Sequence, residues 1–216
     1  MKVIQTPLPI NQYYPEPQKK LQIVLHHTVS NPLSPQGDIG FWRSDSTRIA
    51  TYCIISYDGT INRCFPSNAW AHHLGVKTSE LKSIGFKDFM IRNNILNRNS
   101  IAIELDGWGG VTKYHDNFFN VYGKPLDKSL DVIECKWRGY EYFQKYSDEQ
   151  IQALEELISY LMKTYSIPSY GIKDGNIDLR KDALNSVPGI YSHSSYRLDK
   201  SDLYPDERIF RMLKNL

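Results

Sequence analysis

The stretch LQIVLHH, residues 21–27, joins a short apolar run to two adjacent histidines. Its aliphatic residues follow one another without polar alternation, which is typical of a strand buried on both faces of a sheet. Neighbouring side chains of a strand point to opposite faces, so His26 and His27 are not expected to serve one site together. The sequence therefore predicts a central strand with one of its two histidines turned towards a functional site.

Two further segments carry clear strand signals. RIATYCIISYDGTINRCF, residues 48–65, indicates a hairpin, because Asp58-Gly59 between two apolar runs suits a turn with positive φ. NSIAIELDGWGG, residues 99–110, indicates another short buried strand that ends at glycines. Together with residues 21–27, these segments predict one sheet.

The second half of the chain carries helix signals. Ser147 and Gln150 form a capping box, and apolar residues follow at helical spacing until Pro168 prevents continuation. PDERIFRMLKNL, residues 205–216, predicts a short amphipathic helix. Strands interleaved with helices indicate an α/β domain built around one sheet.

The predicted domain spans residues 21–216, preceded by an arm and interrupted by an insertion. Residues 1–20 contain four prolines and are expected to form an extended N-terminal arm on the domain surface. Residues 107–140 are polar and aromatic and are predicted to be an insertion, either a lid or a substrate-facing loop. Its aromatic residues either line a groove or cover an enlarged core.

Composition limits the classes of partner. Hydrophobic residues make up 41% and charged residues 23% of the 216 residues, as in an ordinary globular protein. A formal net charge of +2 gives no electrostatic reason to expect nucleic acid as a partner. No apolar run is long enough to span a membrane. The three cysteines form no CxxC pair, so reduced thiols are expected and thiolate zinc motifs are absent.

The segment YSHSSYRLDKSDLYPD, residues 191–206, brings together residue types that can do chemistry. His193, Lys200 and Asp202 lie within it, and Lys200 and Asp202 are two positions apart, so both side chains can face one cavity. A histidine and a carboxylate from this segment, with one histidine from the first strand, would make the three-ligand pattern of a catalytic zinc. The alternative is that LDKSD is only a solvated run of charges.

Glu104 is the second unusual residue, because it lies inside the apolar strand NSIAIEL. A buried carboxylate is unfavourable unless it is paired or functional. It is expected to act either as a general base that takes a proton from water or as the partner of a lysine or arginine.

Five motifs, IVLHHTVS, TYCIISYDGTI, WAHHLG, NSIAIELDG and HSSYRLDKSD, occur in an order similar to that of the zinc-dependent N-acetylmuramoyl-L-alanine amidases. The family includes phage lysozyme-like endolysins and peptidoglycan-recognition proteins. The resemblance extends from about residue 21 to 206. It implies a single amidase-type domain, with a central mixed β-sheet flanked by helices. The segment at residues 107–140 does not fit the common core of the family.

The resemblance also implies a role for each matching residue. Zn²⁺ would be held by His26, His193 and Asp202, whereas His27 occupies a position that varies in the family. Lys200 would stabilise an oxyanion. Either Glu104 or Tyr52 would accept the proton of the attacking water. His73 would lie near the substrate cleft.

The implied function is hydrolysis of the amide between N-acetylmuramic acid and L-alanine of peptidoglycan by zinc-activated water. The N-terminus lacks a signal-peptide pattern, so cytoplasmic synthesis is expected, with action on the cell wall after release by a holin or as part of a virion. The alternatives are a non-catalytic peptidoglycan-binding module, a structural component of a phage particle, and a zinc hydrolase of another amide.

Overall fold

A computed structural model describes all residues, 1–216. Ten strands form two separate sheets. In chain order the strands are β1 Val3–Gln5, β2 Gln22–His27, β3 Cys53–Ile55, β4 Ile61–Arg63, β5 Ser100–Leu105, β6 Gly110–Tyr114, β7 Asn117–Phe119, β8 Val132–Trp137, β9 Tyr140–Gln144 and β10 Gly189–Ser192. The six α-helices are α1 Gln36–Ser44, α2 Thr78–Ser83, α3 Arg92–Asn99, α4 Asp148–Tyr165, α5 Lys181–Leu184 and α6 Glu207–Asn215.

The larger sheet has six strands in the order β1-β4-β3-β5-β2-β10. Strand β2 runs parallel to both of its neighbours, β5 and β10, and β3 runs parallel to β5. Strand β4 is antiparallel to β3, so the sheet is mixed, as the resemblance implied. All six residues of β2 are buried, which confirms the prediction of a central strand.

The hairpin and the long helix lie where the local sequence signals predicted them. Strands β3 and β4 form the predicted hairpin, and Gly59 in its turn has φ +76°. A side chain at this position is also excluded by space, because a Cβ on Gly59 would lie 2.8 Å from the Glu149 carbonyl oxygen. Ser147 caps α4 with the reciprocal capping box to Gln150.

The sheet is packed on both faces. A core of 35 buried residues lies between the sheet, α4 and α6, and a smaller cluster of nine buried residues packs around α5 and β10. The three cysteines are unpaired, as expected. None of the helices has both the length and the apolar character needed to cross a lipid bilayer.

The N-terminal arm is bound along the larger sheet. Its strand β1 pairs in parallel with β4 at the sheet edge. Further along the arm, the Tyr14 ring stacks on Trp70 with 3.9 Å between the ring centroids. The arm therefore adds an edge strand and an aromatic contact, and the division of the chain into an arm and a domain at residues 21–216 stays a prediction.

Residues 107–140 do not form an irregular lid or loop. They contain β6, β7 and β8, which with β9 form the second sheet, antiparallel with the order β7-β6-β9-β8. The sequence did not indicate these strands, because β6 ends in the three consecutive exposed residues Thr112, Lys113 and Tyr114, which hide the two-residue alternation of a strand. The role of the segment as a lid or substrate-facing insertion stays a prediction. On the inner side, Phe143 is fully buried and its ring centroid lies 4.8 Å from that of Tyr204.

Candidate active site

The candidate site lies where the parallel strands of the larger sheet end. His26 is near the carboxyl end of β2 and is in register with Glu104 on the neighbouring strand β5. His193 directly follows β10 on the other side of β2. The carboxyl ends of adjacent parallel strands meet at one edge, where open α/β sheets commonly bind ligands. A cavity of about 230 Å³ at this edge is lined by residues that include His26, His73, Glu104, His193, Lys200 and Asp202.

Three potential metal-ligand atoms converge in this cavity. Nδ1 of His26 lies 3.1 Å from Nδ1 of His193 and 3.1 Å from Oδ2 of Asp202. Nδ1 of His193 lies 2.8 Å from the same carboxylate oxygen. All three residues are buried, and their ligand atoms lie within 4.8 Å of one another. The structure thus brings together the two imidazoles and the carboxylate that the sequence left far apart.

The tautomer of His193 follows from its second nitrogen. Nε2 lies 2.8 Å from the carbonyl oxygen of Leu74. A carbonyl can only accept, so Nε2 carries the hydrogen and donates it. In the neutral ring Nδ1 then has a free lone pair, which points at Asp202 and His26.

The tautomer of His26 follows from a chain of three hydrogen bonds. Ser100 Oγ donates to the Leu96 carbonyl at 2.7 Å, and it therefore accepts from His73 Nε2 at 2.8 Å. His73 Nδ1 is then the acceptor for His26 Nε2 at 3.1 Å. Nδ1 of the neutral His26 is left without a hydrogen and faces His193 and Asp202.

When both rings are neutral, two free imidazole lone pairs and a carboxylate oxygen cannot satisfy one another, because none of these atoms carries a proton to donate. Burial and then the neighbouring His193 lower the pKa of His26 to about 4, which keeps the ring neutral near pH 7. Burial disfavours the charged carboxylate of Asp202, but His193 and His26 outweigh it and hold its pKa well below the usual range. The donor set therefore fits a divalent cation such as Zn²⁺, with three protein ligands.

Glu104 faces the cavity without a protein partner. It makes no ion pair or hydrogen bond, and its buried Oε2 is unsatisfied. Burial, followed by the negative charges of Asp202 and Asp38, raises the pKa of Glu104 well above its ordinary value. The expected alternative, a bridge to lysine or arginine, is absent, and a free carboxyl of raised pKa beside His26 has the properties of a proton acceptor.

The run LDKSD is divided between surface and cavity. Asp199 is exposed and pairs with Lys77 and Arg197. Lys200 lines the cavity and takes part in no ion pair, and Asp202 is 8% exposed. The reading of the run as a solvated charge cluster therefore fits Asp199 and fails for Asp202.

The structure does not bring Tyr52 to the cavity. Its side chain is buried in the main core with its ring 6.4 Å from that of Phe65. Tyr52 lies beside Ala102, two residues before Glu104 on β5, and the neighbouring residues Ala50 and Thr51 line the cavity in its place. Burial also raises the pKa of Tyr52, which opposes its ionisation.

His73 is at the cavity, but both of its ring nitrogens bind protein groups, His26 and Ser100. Its predicted contact with substrate stays a prediction. Ser100 and the Leu74 carbonyl, which orient the two histidines, were missed by sequence reasoning. A serine at the start of a strand gives little signal, and a backbone carbonyl gives none.

His27 lies on the other face of β2. Its Nδ1 lies 2.8 Å from the hydroxyl of Tyr146, and its Nε2 is buried without a partner. The backbone of Gly109 packs closely against the His27 ring, and a Cβ at this position would lie only 2.5 Å from His27 Nε2. The strand geometry thus separates the two histidines as the sequence predicted.

The fold and site define a class of α/β proteins with a His-His-Asp centre suited to a divalent metal. The family model described as N-acetylmuramoyl-L-alanine amidase matches residues 17–205. The chain belongs to this family, which supports enzymatic hydrolysis of peptidoglycan amides. No curated protein sequence is significantly similar to the chain.

Several solved structures share the fold of this chain. PlyL covers 100% of the chain and 91% of its own length, at 13% identity and a TM-score of 0.52. The endolysin N-acetylmuramoyl-L-alanine amidase LysCS from Clostridium intestinale covers 99% and 95%, at 19% identity and 0.52. An AmpD derivative covers 98% and 94%, at 18% identity and 0.51. At these identities the likeness shows the fold alone.

Proposed function

We propose that this protein is a zinc-dependent N-acetylmuramoyl-L-alanine amidase that cleaves the bond between N-acetylmuramic acid and the first alanine of the stem peptide. The observation that carries the proposal is the convergence of two proton-free imidazole nitrogens and one carboxylate oxygen beside an unpaired glutamate. Family membership supplies the substrate class.

His26, His193 and Asp202 would hold the zinc ion. When bound, zinc supplies a Lewis acid that lowers the pKa of water towards neutrality and polarises a carbonyl. The Leu74 carbonyl and the chain from His73 to Ser100 keep the imidazoles oriented, as partners of metal-binding histidines commonly do.

Glu104 would take the proton of the attacking water and pass it to the nitrogen of the leaving alanine. Its freedom from hydrogen bonds and its raised pKa suit both steps. Lys200 would place its positive charge near the carbonyl oxygen and stabilise the tetrahedral oxyanion, an effect worth about 2.7–4 kcal/mol for a typical oxyanion donor. Tyr52, buried in the core, has no part in this scheme.

The biological setting that fits this chemistry is a phage endolysin or a virion-associated wall hydrolase. It is supported by the fold shared with the endolysin LysCS. Synthesis in the cytoplasm followed by passage to the wall, through a holin or with the virion, belongs to the same proposal.

The experiment that tests the proposal is mass spectrometry of purified peptidoglycan after digestion. Free stem peptides that begin with alanine, together with glycan strands that retain the lactyl group, are the expected products. Treatment with a chelator should stop the release, and added Zn²⁺ should restore it. Binding of muropeptides without any release would favour the non-catalytic binding module instead.

A further inference from the structure

The loop that carries Lys200 and Asp202 has no regular structure of its own. Residues 197–206, here called the ligand loop, contain neither helix nor strand. Backbone carbonyls in such a segment have no partners within an element and must find them elsewhere. The donors that the ligand loop uses therefore show what fixes its shape.

All the side-chain donors to these carbonyls come from β8 and the turn that follows it. Trp137 Nε1 donates to the Ser201 carbonyl at 3.1 Å, and Arg138 Nη1 donates to the Leu198 carbonyl at 2.6 Å. Cys135 Sγ approaches the Pro205 carbonyl at 3.9 Å. Two further carbonyls of the ligand loop accept from backbone groups: that of Asp202 from Ser194, and that of Asp206 from Ile209 and Phe210 in α6.

The β8–β9 hairpin is fixed by a tight turn and by the contacts of Arg138. Trp137 pairs with Tyr140, and the two residues between them, Arg138 and Gly139, have φ +49° and +87°. Two positive φ values are typical of the tight type I′ hairpin turn. The Arg138 guanidinium lies 4.8 Å from the Trp137 ring centroid and also binds Asp178 at 2.7 Å.

We propose that this hairpin is a brace that positions Lys200 and Asp202, with Trp137 and Arg138 as positioning residues. Ser201 lies between the two functional residues, so holding its carbonyl restricts the backbone of both. Leu198 is held on the other side of Lys200. The inference rests on the proposed function, because it takes Asp202 as a zinc ligand. It also gives the insertion a purpose other than that of a lid.

The test compares two tryptophan variants of the full chain. Trp137→Phe keeps an aromatic ring but removes the indole N–H that donates a hydrogen bond to the Ser201 carbonyl. Trp108→Phe makes the same chemical change in the same insertion, where the ring packs at 6.2 Å from Tyr122 instead. Chelator competition should show zinc bound about threefold to tenfold more weakly by Trp137→Phe and unchanged by Trp108→Phe.

Two further readouts separate positioning from general loss of stability. The visible absorption of the Co²⁺-loaded protein should change in Trp137→Phe, while the melting temperature of its metal-free form stays near that of Trp108→Phe. The double variant Trp137→Phe with Arg138→Lys should weaken zinc binding further, by about 10- to 100-fold. Equal zinc affinity and equal Co²⁺ spectra in all of these variants would overturn the brace.

Asp202→Asn distinguishes this inference from the proposal on which it rests. If Asp202→Asn abolishes tight zinc binding while Trp137→Phe and the double variant bind like the wild type, only the brace is wrong. If Asp202→Asn binds zinc as the wild type does, the ligand assignment itself is wrong.

Discussion

The two faces of strand β2 carry histidines of nearly equal burial and very different surroundings. His26 is 2% exposed and His27 is 4% exposed, and burial is the main cause that lowers the pKa of each to about 4. On one face, Nδ1 of His26 meets a second imidazole and a carboxylate. On the other, Nδ1 of His27 meets only the hydroxyl of Tyr146.

The comparison shows that burial and a lowered pKa do not identify a metal ligand. Both rings are buried and have a lowered pKa. Only His26 also faces the lone pairs of a second imidazole and of a carboxylate. A tyrosine hydroxyl can donate a proton to His27 and satisfy it, but neither His193 nor Asp202 can do so for His26. The predictions below test this distinction between the ligand face of His26 and the packing face of His27.

The largest expected effect concerns Glu104, which lies on β5 beside His26 and faces the same cavity. Glu104→Gln should lower kcat by about 10²- to 10⁴-fold, because the amide cannot accept the proton of water. Zinc affinity should stay within about threefold of the wild type. Initial rates of stem-peptide release, measured beside Glu155→Gln on the exposed side of α4, check this. Full activity in Glu104→Gln would remove it as the base.

The matched pair His26→Asn and His27→Asn tests the two faces directly. His26→Asn should weaken zinc binding by about 10²- to 10³-fold, since it removes one of three ligands to a strongly bound ion. His27→Asn should keep zinc affinity but unfold about 1–3 kcal/mol more easily, because a buried ring is lost. Chelator competition and urea unfolding of the metal-free proteins give both quantities. Similar zinc losses in the two variants would contradict the assignment of faces.

Asp106, two residues beyond Glu104, should contribute to the pH dependence of stability. Burial and then the nearby Asp38 raise the pKa of Asp106 to about 7. The folded protein therefore keeps a proton that the unfolded chain releases near pH 4, so this contribution to stability is lost as the pH rises from about 4 to 7.

The corresponding free energy of unfolding is on the order of a few kcal/mol across that window. Asp106→Asn cannot titrate and should show a flatter profile between pH 4 and 7 in urea unfolding. Parallel profiles for the wild type and Asp106→Asn would exclude this carboxyl as the source.

The smallest effect compares two hydroxyls, one serving each histidine. Ser100→Ala breaks the chain that orients His26 and should weaken zinc binding by about tenfold. Tyr146→Phe removes the partner of His27 and should leave zinc affinity unchanged while costing about 1–2 kcal/mol of stability. Isothermal titration with Zn²⁺ and thermal unfolding separate the two. An unchanged affinity in Ser100→Ala would mean that packing alone orients His26.

Sequence reasoning succeeded where the signal is local. The capping box at Ser147 and the turn at Gly59 depend on residues within a few positions of one another, and both were predicted. The buried run at residues 21–27 needed only its own composition. Physical reasoning alone could not choose between His26 and His27, because that choice depends on which face β10 and the ligand loop reach.

The second sheet and the tautomers lay beyond the sequence for different reasons. Strand β6 combines two buried residues with three exposed ones in succession, so it lacks the alternation by which strands are recognised. The orientation of His26 depends on Ser100 and the Leu96 carbonyl, whose roles exist only in the folded chain. The resemblance to amidases supplied the ligand set, but it could not show that Tyr52 lies in the core.

The distance along the chain between the ligands has a consequence for folding. His26 and Asp202 are 176 positions apart, and β2 reaches its neighbours β5 and β10 only through long connections. Contacts between residues so far apart in sequence form slowly, because a long loop must lose conformational entropy before the contacts can stabilise it.

A nascent chain therefore cannot bring His26, His193 and Asp202 together until the ligand loop has been synthesised and has docked. Any zinc that binds only the finished fold then stabilises it by mass action, by about 4 kcal/mol when the free ion exceeds its dissociation constant a thousandfold. The ion would link β2 to the ligand loop, and its release would make unfolding easier.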